Sequence, residues 1–253
     1  MKDNNDEYFY INGQHYDYMI KNRQAYDSVP FYIRYAKKYG SPILELACGT
    51  GRITIPIAKE RLSVIGLDFS EEMLGQAKRK SKEYNLDIEW VQADMINFSL
   101  NKKFRTIIMP GAAMNWIIDN KSIENCLINV KKHLKQNGRF IFDVFNPDLD
   151  ILQGDGSKIY PMYDYPNPDG EGTVFVAGSN SYDKVSQINY INSYYKIEDK
   201  EIVKELKLRM FFPQELNALL YYNGFKIINK FGTFDGEPFK SDSNLQIVIC
   251  YKK

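Results

Sequence analysis

The fold of this chain follows from one stretch of its sequence, Ile43-Leu44-Glu45-Leu46-Ala47-Cys48-Gly49-Thr50-Gly51-Arg52. Its first half is a short apolar run, which predicts a buried strand. The Gly-x-Gly turn that follows lets a ligand approach backbone that lacks Cβ atoms. An amphipathic pattern over residues 52–60 then predicts a helix. This order of strand, glycine turn and helix is typical of α/β folds that bind a ligand at the carboxyl end of the sheet.

The same alternation of short strands and amphipathic helices continues to about residue 144. Ser70, followed by Glu71 and Glu72, is a helix start signal, and Asn137-Gly138 is a helix stop signal. The predicted strands are 42–47, 62–67, 88–92, 104–109 and 138–144, and the predicted helices are 52–60, 71–84 and 121–135. The pattern indicates an α/β protein with a Rossmann-like, doubly wound, largely parallel sheet.

The pattern changes after Asn146-Pro147. Residues 154–172 are rich in Gly, Pro, Asp and Tyr and are predicted to form a loop. Strand-like alternation then covers 173–179, 188–194 and 206–210, with a hairpin turn at 198–200, and a helix from Pro213 and strands at 225–231 and 245–251 close the chain. We therefore expect an α/β domain over 42–149 and 212–253, an antiparallel β insertion over 150–211 and a separate N-terminal segment over 1–41.

Composition and charge exclude several classes of partner. The 253 residues carry 33 Lys and Arg against 32 Asp and Glu, so the net charge of +1 gives no field that would gather nucleic acid or a membrane surface. The N-terminus is polar and acidic, unlike a secretory signal. With only 3 Cys and 2 His, far apart in sequence, no zinc-site spacing exists. We expect a cytoplasmic protein without structural metal that acts on a small molecule.

Acidic residues at the strand ends narrow the class of ligand. Position 54 is Thr where a dinucleotide-binding loop would have its third Gly, and Glu45 would repel a pyrophosphate. Glu45 would instead accept hydrogen bonds from a positively charged ligand. Asp68 follows the second strand and can accept both hydroxyls of a ribose, or else it serves only the dipole of the next helix. These residues favour a cationic nucleoside.

A third acid, Asp94, follows the third predicted strand and is placed to accept from an adenine amino group. Met73 and Met95 are candidates to sandwich the base, although a Met on a helix is more often part of the core.

Several motifs, taken in order along the chain, resemble those of a known family. They are Glu45 to Gly51, Gly66 to Leu74, Ala93-Asp94-Met95, and His133-Leu134 with Gly138 and Phe142-Asp143. In this order and spacing they resemble the motifs of class I S-adenosylmethionine-dependent methyltransferases over residues 42–144, and loosely over the C-terminal strands. Within that superfamily the chain is most similar to small-molecule enzymes, including amino-sugar and glycine/sarcosine N-methyltransferases.

The resemblance implies a seven-stranded sheet with one antiparallel strand near the C-terminus, a β insertion over the acceptor site and an N-terminal helical cover. It implies S-adenosyl-L-methionine as methyl donor and S-adenosyl-L-homocysteine as product. Tyr16, with Arg23 as a second donor, would bind the methionine carboxylate, or Tyr16 would pack under a surface helix. The implied cofactor-binding residues are Tyr16, Glu45, Ala47, Gly49, Gly51, Asp68, Phe69, Met73, Asp94 and Met95.

Methyl transfer asks mainly for alignment of the acceptor with the sulfur and the methyl group, because the sulfonium already activates the methyl. A general base is needed only for a protonated acceptor. Candidates are His15, for which a surface position is the commoner alternative, Asn115, Trp116, and Asp143 with Asn146. Trp116 is also a candidate to stabilise a cationic amine product.

The sequence therefore predicts methyl transfer to a small-molecule acceptor, favouring N-methylation of an amine by in-line displacement. Two alternatives stay open, a non-catalytic S-adenosylmethionine-binding module and an NAD-dependent oxidoreductase. A nucleic-acid methyltransferase is disfavoured by the near-neutral charge and by Met109-Pro110-Gly111-Ala112, which departs from the Pro-Pro-Tyr signatures of that class. The sequence does not identify the acceptor. It is compatible with a homodimer but does not determine the oligomeric state.

Overall fold

A computed structural model describes residues 12–22 and 27–253. The chain divides into two compact units. The sheet unit contains residues 27–146 and 211–253, and the described part of the hairpin unit contains residues 12–22 and 147–210. The N-terminal segment predicted at 1–41 is thus divided between the two units.

The sheet unit is built on a seven-stranded sheet. Its strands are β1 (Ile43–Leu46), β2 (Val64–Asp68), β3 (Glu89–Gln92), β4 (Phe104–Met109), β5 (Leu134–Phe145), β10 (Phe225–Phe231) and β11 (Leu245–Lys252). They lie in the order β10-β11-β5-β4-β1-β2-β3. β11 is antiparallel to both of its neighbours, and the remaining pairs of the sheet are parallel. This topology confirms the predicted doubly wound sheet with one antiparallel strand near the C-terminus.

Helices cover both faces of this sheet because β-strand side chains alternate between the faces. The helices of the sheet unit are α2 (Val29–Tyr39), α3 (Thr54–Lys59), α4 (Glu71–Glu83), α5 (Asn120–His133) and α6 (Pro213–Tyr222). On one face Leu44 and Leu46 pack with α5 and α6, whereas Ile43 on the other face packs with α2 and α3. Burial on both faces explains why the central strands read as continuous apolar runs.

The hairpin unit contains α1 (Gly13–Asn22) and a four-stranded antiparallel sheet. The strands are β6 (Tyr160–Pro166), β7 (Thr173–Asp183), β8 (Ile188–Ile197) and β9 (Lys200–Arg209), and they lie in the order β6-β7-β8-β9. The small core of this unit contains Tyr165, Val174, Val176 and Tyr195, with Met19 of α1 packed against it. The predicted hairpin turn near residue 199 is confirmed by the pairing of β8 with β9.

Two local predictions were wrong. Residues 160–166, predicted as loop, form β6, whose Pro161 and Pro166 are tolerated because β6 is an edge strand. Asn137-Gly138, predicted as a helix stop signal, lies inside β5, because the strand begins at Leu134 rather than at the predicted residue 138 and the helix ends at His133. A Cβ atom on Gly138 would lie 2.9 Å from Leu134 Cδ2 and 3.1 Å from the Arg105 carbonyl oxygen, so close packing accounts for the glycine.

Substitution of Gly66 in β2 tests how tightly the sheet packs beside the loop after β1. A Cβ atom there would lie 2.5 Å from the Trp90 ring and 3.0 Å from Cys48 Sγ, whereas a Cβ atom on Gly75 of α4 would meet no atom within 4 Å. We expect Gly66→Ala to lower the free energy of unfolding by about 1–3 kcal/mol through overpacking. Gly75→Ala is the control and should raise it by up to about 1 kcal/mol. Equilibrium unfolding in urea measures both, and a Gly66→Ala protein as stable as the wild type would contradict the packing.

Candidate functional site

The loop after β1 bends through left-handed backbone. Ala47, Gly49 and Gly51 have φ of 54°, 52° and 79°. A Cβ atom on Gly51 would lie 2.7 Å from the Trp90 ring, so this glycine is required for packing. A Cβ atom on Gly49 would meet no atom within 4 Å, so open space adjoins the backbone at that point. The loop therefore leaves room for a ligand beside Gly49, as the Gly-x-Gly pattern predicts.

Asp68, the last residue of β2, fixes this loop. Its carboxylate is 6% exposed and accepts the backbone N–H of Gly49 at 2.7 Å and that of Ser70 at 2.9 Å. Burial raises the pKa of Asp68, and these hydrogen bonds oppose the rise. The start of α4 has its own cap, because Ser70 Oγ accepts the N–H of Met73 at 3.2 Å. A carboxylate has about four acceptor positions, and the N–H groups of Gly49, Ser70 and Phe69 take three of them, which leaves room for a ligand hydroxyl.

Glu45 lies in β1 and is 2% exposed. Thr54 Oγ1 donates a hydrogen bond to its Oε2 atom. Burial raises the pKa of Glu45 to about 8, although Thr54 and Arg52 both lower it. Burial therefore favours the protonated form of this carboxyl.

The remaining cofactor candidates differ in exposure. Phe69 is 71% exposed directly after β2, and Asp94 is exposed, with Oδ1 accepting the N–H of Ile96 at 2.8 Å. Met73 is buried in α4, and Met95 packs against the core. Tyr16 lies half-buried in α1 of the hairpin unit, and Arg23 lies outside the described residues. The ligand roles of these residues stay predictions.

The catalytic candidates lie in different units. In the sheet unit, buried Asn115 accepts the N–H of Phe145 at 3.2 Å through Oδ1, and Trp116 is 38% exposed. In the hairpin unit, His15 is fully buried, and its ring nitrogens lie 3.0 Å from Tyr165 Oη and 2.9 Å from Asp169 Oδ2. The expected surface position for His15 was wrong, because partners about 150 residues away enclose it.

Asp143, named only as one possible base, has a structural role that the sequence did not reveal. Its buried carboxylate accepts the N–H groups of Gly111 at 3.0 Å and Ala112 at 2.7 Å, and also the Tyr32 hydroxyl. Gly111 and Ala112 have φ of 73° and 55°. Asp143 thus holds the strained loop after β4, and burial raises its pKa. The dipeptide Pro110-Gly111 is typical of a turn. The sequence near Asp143 contains no feature that predicts its hydrogen bond with Tyr32.

Across 12–22 and 27–253, no group of three or more His, Cys, Asp or Glu side chains is arranged to hold a metal ion. Within the same ranges, no helix has the length and apolar character needed to cross a membrane.

The raised pKa of Glu45 predicts a pH dependence of stability. The folded chain keeps the Glu45 proton up to a pKa of about 8, whereas the unfolded chain releases it near 4.5. Over this interval the free energy of unfolding therefore falls as the pH rises, by at most about 1.4 kcal/mol per pH unit from this group. Glu45→Gln removes the titration. We expect the stability of this variant, measured in urea relative to the wild type, to improve from about pH 5 to about pH 8. Parallel pH curves would contradict the assignment.

Comparisons with known proteins relate this chain to methyltransferases. A family model described as a methyltransferase domain matches residues 43–138. A protein from Geobacillus sp. (strain WCH70) named as a methyltransferase is 27% identical over 130 residues, which are 49% of this chain and 53% of that protein. The glycine/sarcosine N-methyltransferase of Parasynechococcus marenigrum (strain WH8102) is 29% identical over 141 residues, 54% of this chain and 49% of that protein. The matches span about half the length of these two relatives.

A solved structure shares the fold over nearly its whole length. It is an S-adenosylmethionine-dependent methyltransferase from Clostridium acetobutylicum ATCC 824, with a TM-score of 0.76 and 22% identity, and the match covers 94% of this chain and 96% of that one. At this identity the likeness shows the fold alone. The family match identifies residues 43–138, within the sheet unit, as a methyltransferase domain.

Proposed function

We propose that this protein transfers the methyl group of S-adenosylmethionine to the nitrogen of a small-molecule amine. The observation that carries the donor site is the open space beside Gly49, next to the Asp68 carboxylate that fixes the loop. A relative named as a glycine/sarcosine N-methyltransferase supports nitrogen as the acceptor atom. The near-neutral net charge of +1 supports a small-molecule acceptor.

The residues at the carboxyl ends of β1 and β2 fit the donor. Asp68 would accept the ribose hydroxyls, Gly49 would let the ligand approach the backbone, and the exposed ring of Phe69 would contact the ligand. Asp94 would accept from the adenine amino group with its remaining acceptor positions. When bound, S-adenosylmethionine supplies a methyl group already activated by the positive sulfonium.

The chain's own contribution is to orient the acceptor and to exclude water. Asp143 and Asn115 fix the loop after β4 through hydrogen bonds with backbone N–H groups. The partly exposed ring of Trp116 on this loop can stabilise the ammonium product by a cation–π contact. The acceptor must offer its nitrogen lone pair, so the amine would react in its unprotonated form.

The hairpin unit would select the acceptor. Tyr190 and Tyr194 lie four residues apart on β8 and hence on the same face of its sheet, and both are half-buried. Their phenol groups combine an apolar ring with a polar tip, which suits recognition of a polar small molecule.

An acceptor screen tests the proposal. The protein is incubated with S-adenosylmethionine that carries a deuterated methyl group and with amino acids, amino sugars and simple primary and secondary amines. We expect release of S-adenosylhomocysteine and a labelled N-methyl product, identified by mass spectrometry and NMR. Label found only on oxygen or carbon would refute N-methylation. Binding of S-adenosylhomocysteine without turnover of any acceptor would favour the non-catalytic module.

The role of Asp68 is tested by substitution. Asp68→Ala removes the acceptor for the Gly49 N–H and for the ribose hydroxyls, so we expect affinity for S-adenosylhomocysteine to fall more than about tenfold. Asp68→Asn keeps the shape and one acceptor oxygen and should lose less. Isothermal titration measures both variants, and circular dichroism checks that they are folded. If folded Asp68→Ala binds S-adenosylhomocysteine with unchanged affinity, Asp68 does not bind the ligand and only accepts the backbone N–H groups.

A further inference from the structure

The loop after β3 covers residues 93–103 and carries Asp94, the residue proposed to accept from the adenine amino group. Residues 93–103 form neither helix nor strand. The first residue of the loop is held to β2, because Ala93 N–H donates to the Asp68 carbonyl at 3.0 Å. Asp94 itself is exposed, and its Oδ1 atom accepts the N–H of Ile96 at 2.8 Å. The direction of the Asp94 carboxylate therefore depends on where Ile96 lies.

Helix α5 contacts this loop through two polar side chains. Asn129 Nδ2 donates to the carbonyl of Ile96 at 2.7 Å, and His133 Nε2 accepts the N–H of Leu100 at 2.9 Å. Asn129 and His133 lie four residues apart in α5, so they share one face of the helix. A loop without regular structure leaves its backbone groups to other partners, and these side chains supply one donor and one acceptor. Asn129 thereby fixes the residue that orients Asp94.

The imidazole of His133 is held in the form that suits both of its partners. Its Nδ1 atom lies 2.8 Å from the carbonyl oxygen of Asn129, which can only accept, so Nδ1 carries the proton. Nε2 is then the ring nitrogen with a lone pair, as the Leu100 N–H requires. His133 is 2% exposed, and its ring centroid lies 4.6 Å from that of Phe98, a core residue of the loop. Packing and hydrogen bonds together hold the ring in place.

We infer that Asn129 and His133 are positioning residues for the methyl donor. They fix the loop after β3 so that Asp94 can accept from the adenine amino group, and they act through the loop backbone. This inference rests on the proposed function, which assigns that contact to Asp94. The path from Asn129 to Asp94 passes through Ile96, whose carbonyl and N–H bind the two side chains. His133 holds the same loop further along, at Leu100.

The test compares two ligands that differ only at the adenine amino group. They are S-adenosylhomocysteine and its deamino analogue, in which hydrogen replaces that group. Both are titrated calorimetrically into the wild type and the variants. In the wild type, the contact with the Asp94 carboxylate should make S-adenosylhomocysteine bind about tenfold more tightly than the analogue. Asp94→Ala, which removes the contact, should bind the two ligands with nearly equal affinity.

His133→Asn and His133→Gln separate the two hydrogen bonds of the ring. The amide of Asn reaches only as far as Nδ1, whereas the amide oxygen of Gln reaches as far as Nε2 and can accept the Leu100 N–H. We expect His133→Asn to bind S-adenosylhomocysteine about fivefold or more weakly, with its affinity for the analogue within about twofold of the wild type. His133→Gln should stay within about twofold of the wild type for both ligands.

Asn129→Ala tests the second contact at a half-buried position, where folding is less at risk than at His133. It removes the donor to the Ile96 carbonyl and should show the same selective loss as His133→Asn. The matched control is Lys132→Ala, because Lys132 is exposed in α5 next to His133. Its affinity for both ligands should stay within about twofold of the wild type. Circular dichroism checks that each variant is folded.

The inference is overturned if Asn129→Ala and His133→Asn bind S-adenosylhomocysteine as tightly as the wild type, or if they lose equal affinity for both ligands. A loss in His133→Gln as large as that in His133→Asn would also overturn it, because the bond to Leu100 would then not be the cause. Failure of the proposed function gives different results. A wild type that binds neither ligand would refute the donor site, and a wild type that binds both equally would refute the Asp94 contact.

Discussion

The carboxylate of Asp68 receives the backbone N–H of Gly49 from the loop after β1 and that of Ser70 from the start of α4. Two neighbouring loops at the carboxyl edge are thus joined through one buried side chain. A buried carboxylate is costly unless it is hydrogen-bonded, and the backbone donors offset part of that cost. The left-handed turn at Gly49 persists because its N–H has this acceptor, and the open space beside it is a consequence.

The same arrangement recurs in β5, which lies three strands away from β2 in the sheet. Asp143, in β5, receives the N–H groups of Gly111 and Ala112 and so shapes the loop after β4. Both carboxylates accept backbone N–H groups and so fix the two loops, and the outer surfaces of the loops are left to a ligand. Alignment of donor and acceptor is the main demand of methyl transfer, so rigid loops at this edge suit the proposed reaction. Arg52 and Glu45 belong to the same edge.

Much of the sheet unit could be predicted from the sequence, because buried parallel strands read as apolar runs and the glycines mark the turns. The hairpin unit was harder to predict from the sequence. β6 carries Pro161 and Pro166, which read as loop until the edge position of the strand is known. Contacts between distant residues were also hidden. The Tyr32–Asp143 bond joins residues 111 positions apart, and the burial of His15 depends on partners 150 and 154 positions away.

The central claim is that the loop after β1 and the end of β2 form a site for S-adenosylmethionine rather than for a dinucleotide. The most direct measurement is a calorimetric titration of the wild-type protein with S-adenosylhomocysteine, alone and in the presence of excess NAD. The structure predicts saturable binding of one S-adenosylhomocysteine per chain, with an affinity that NAD leaves unchanged. No binding at millimolar S-adenosylhomocysteine, or its displacement by NAD, would contradict this account.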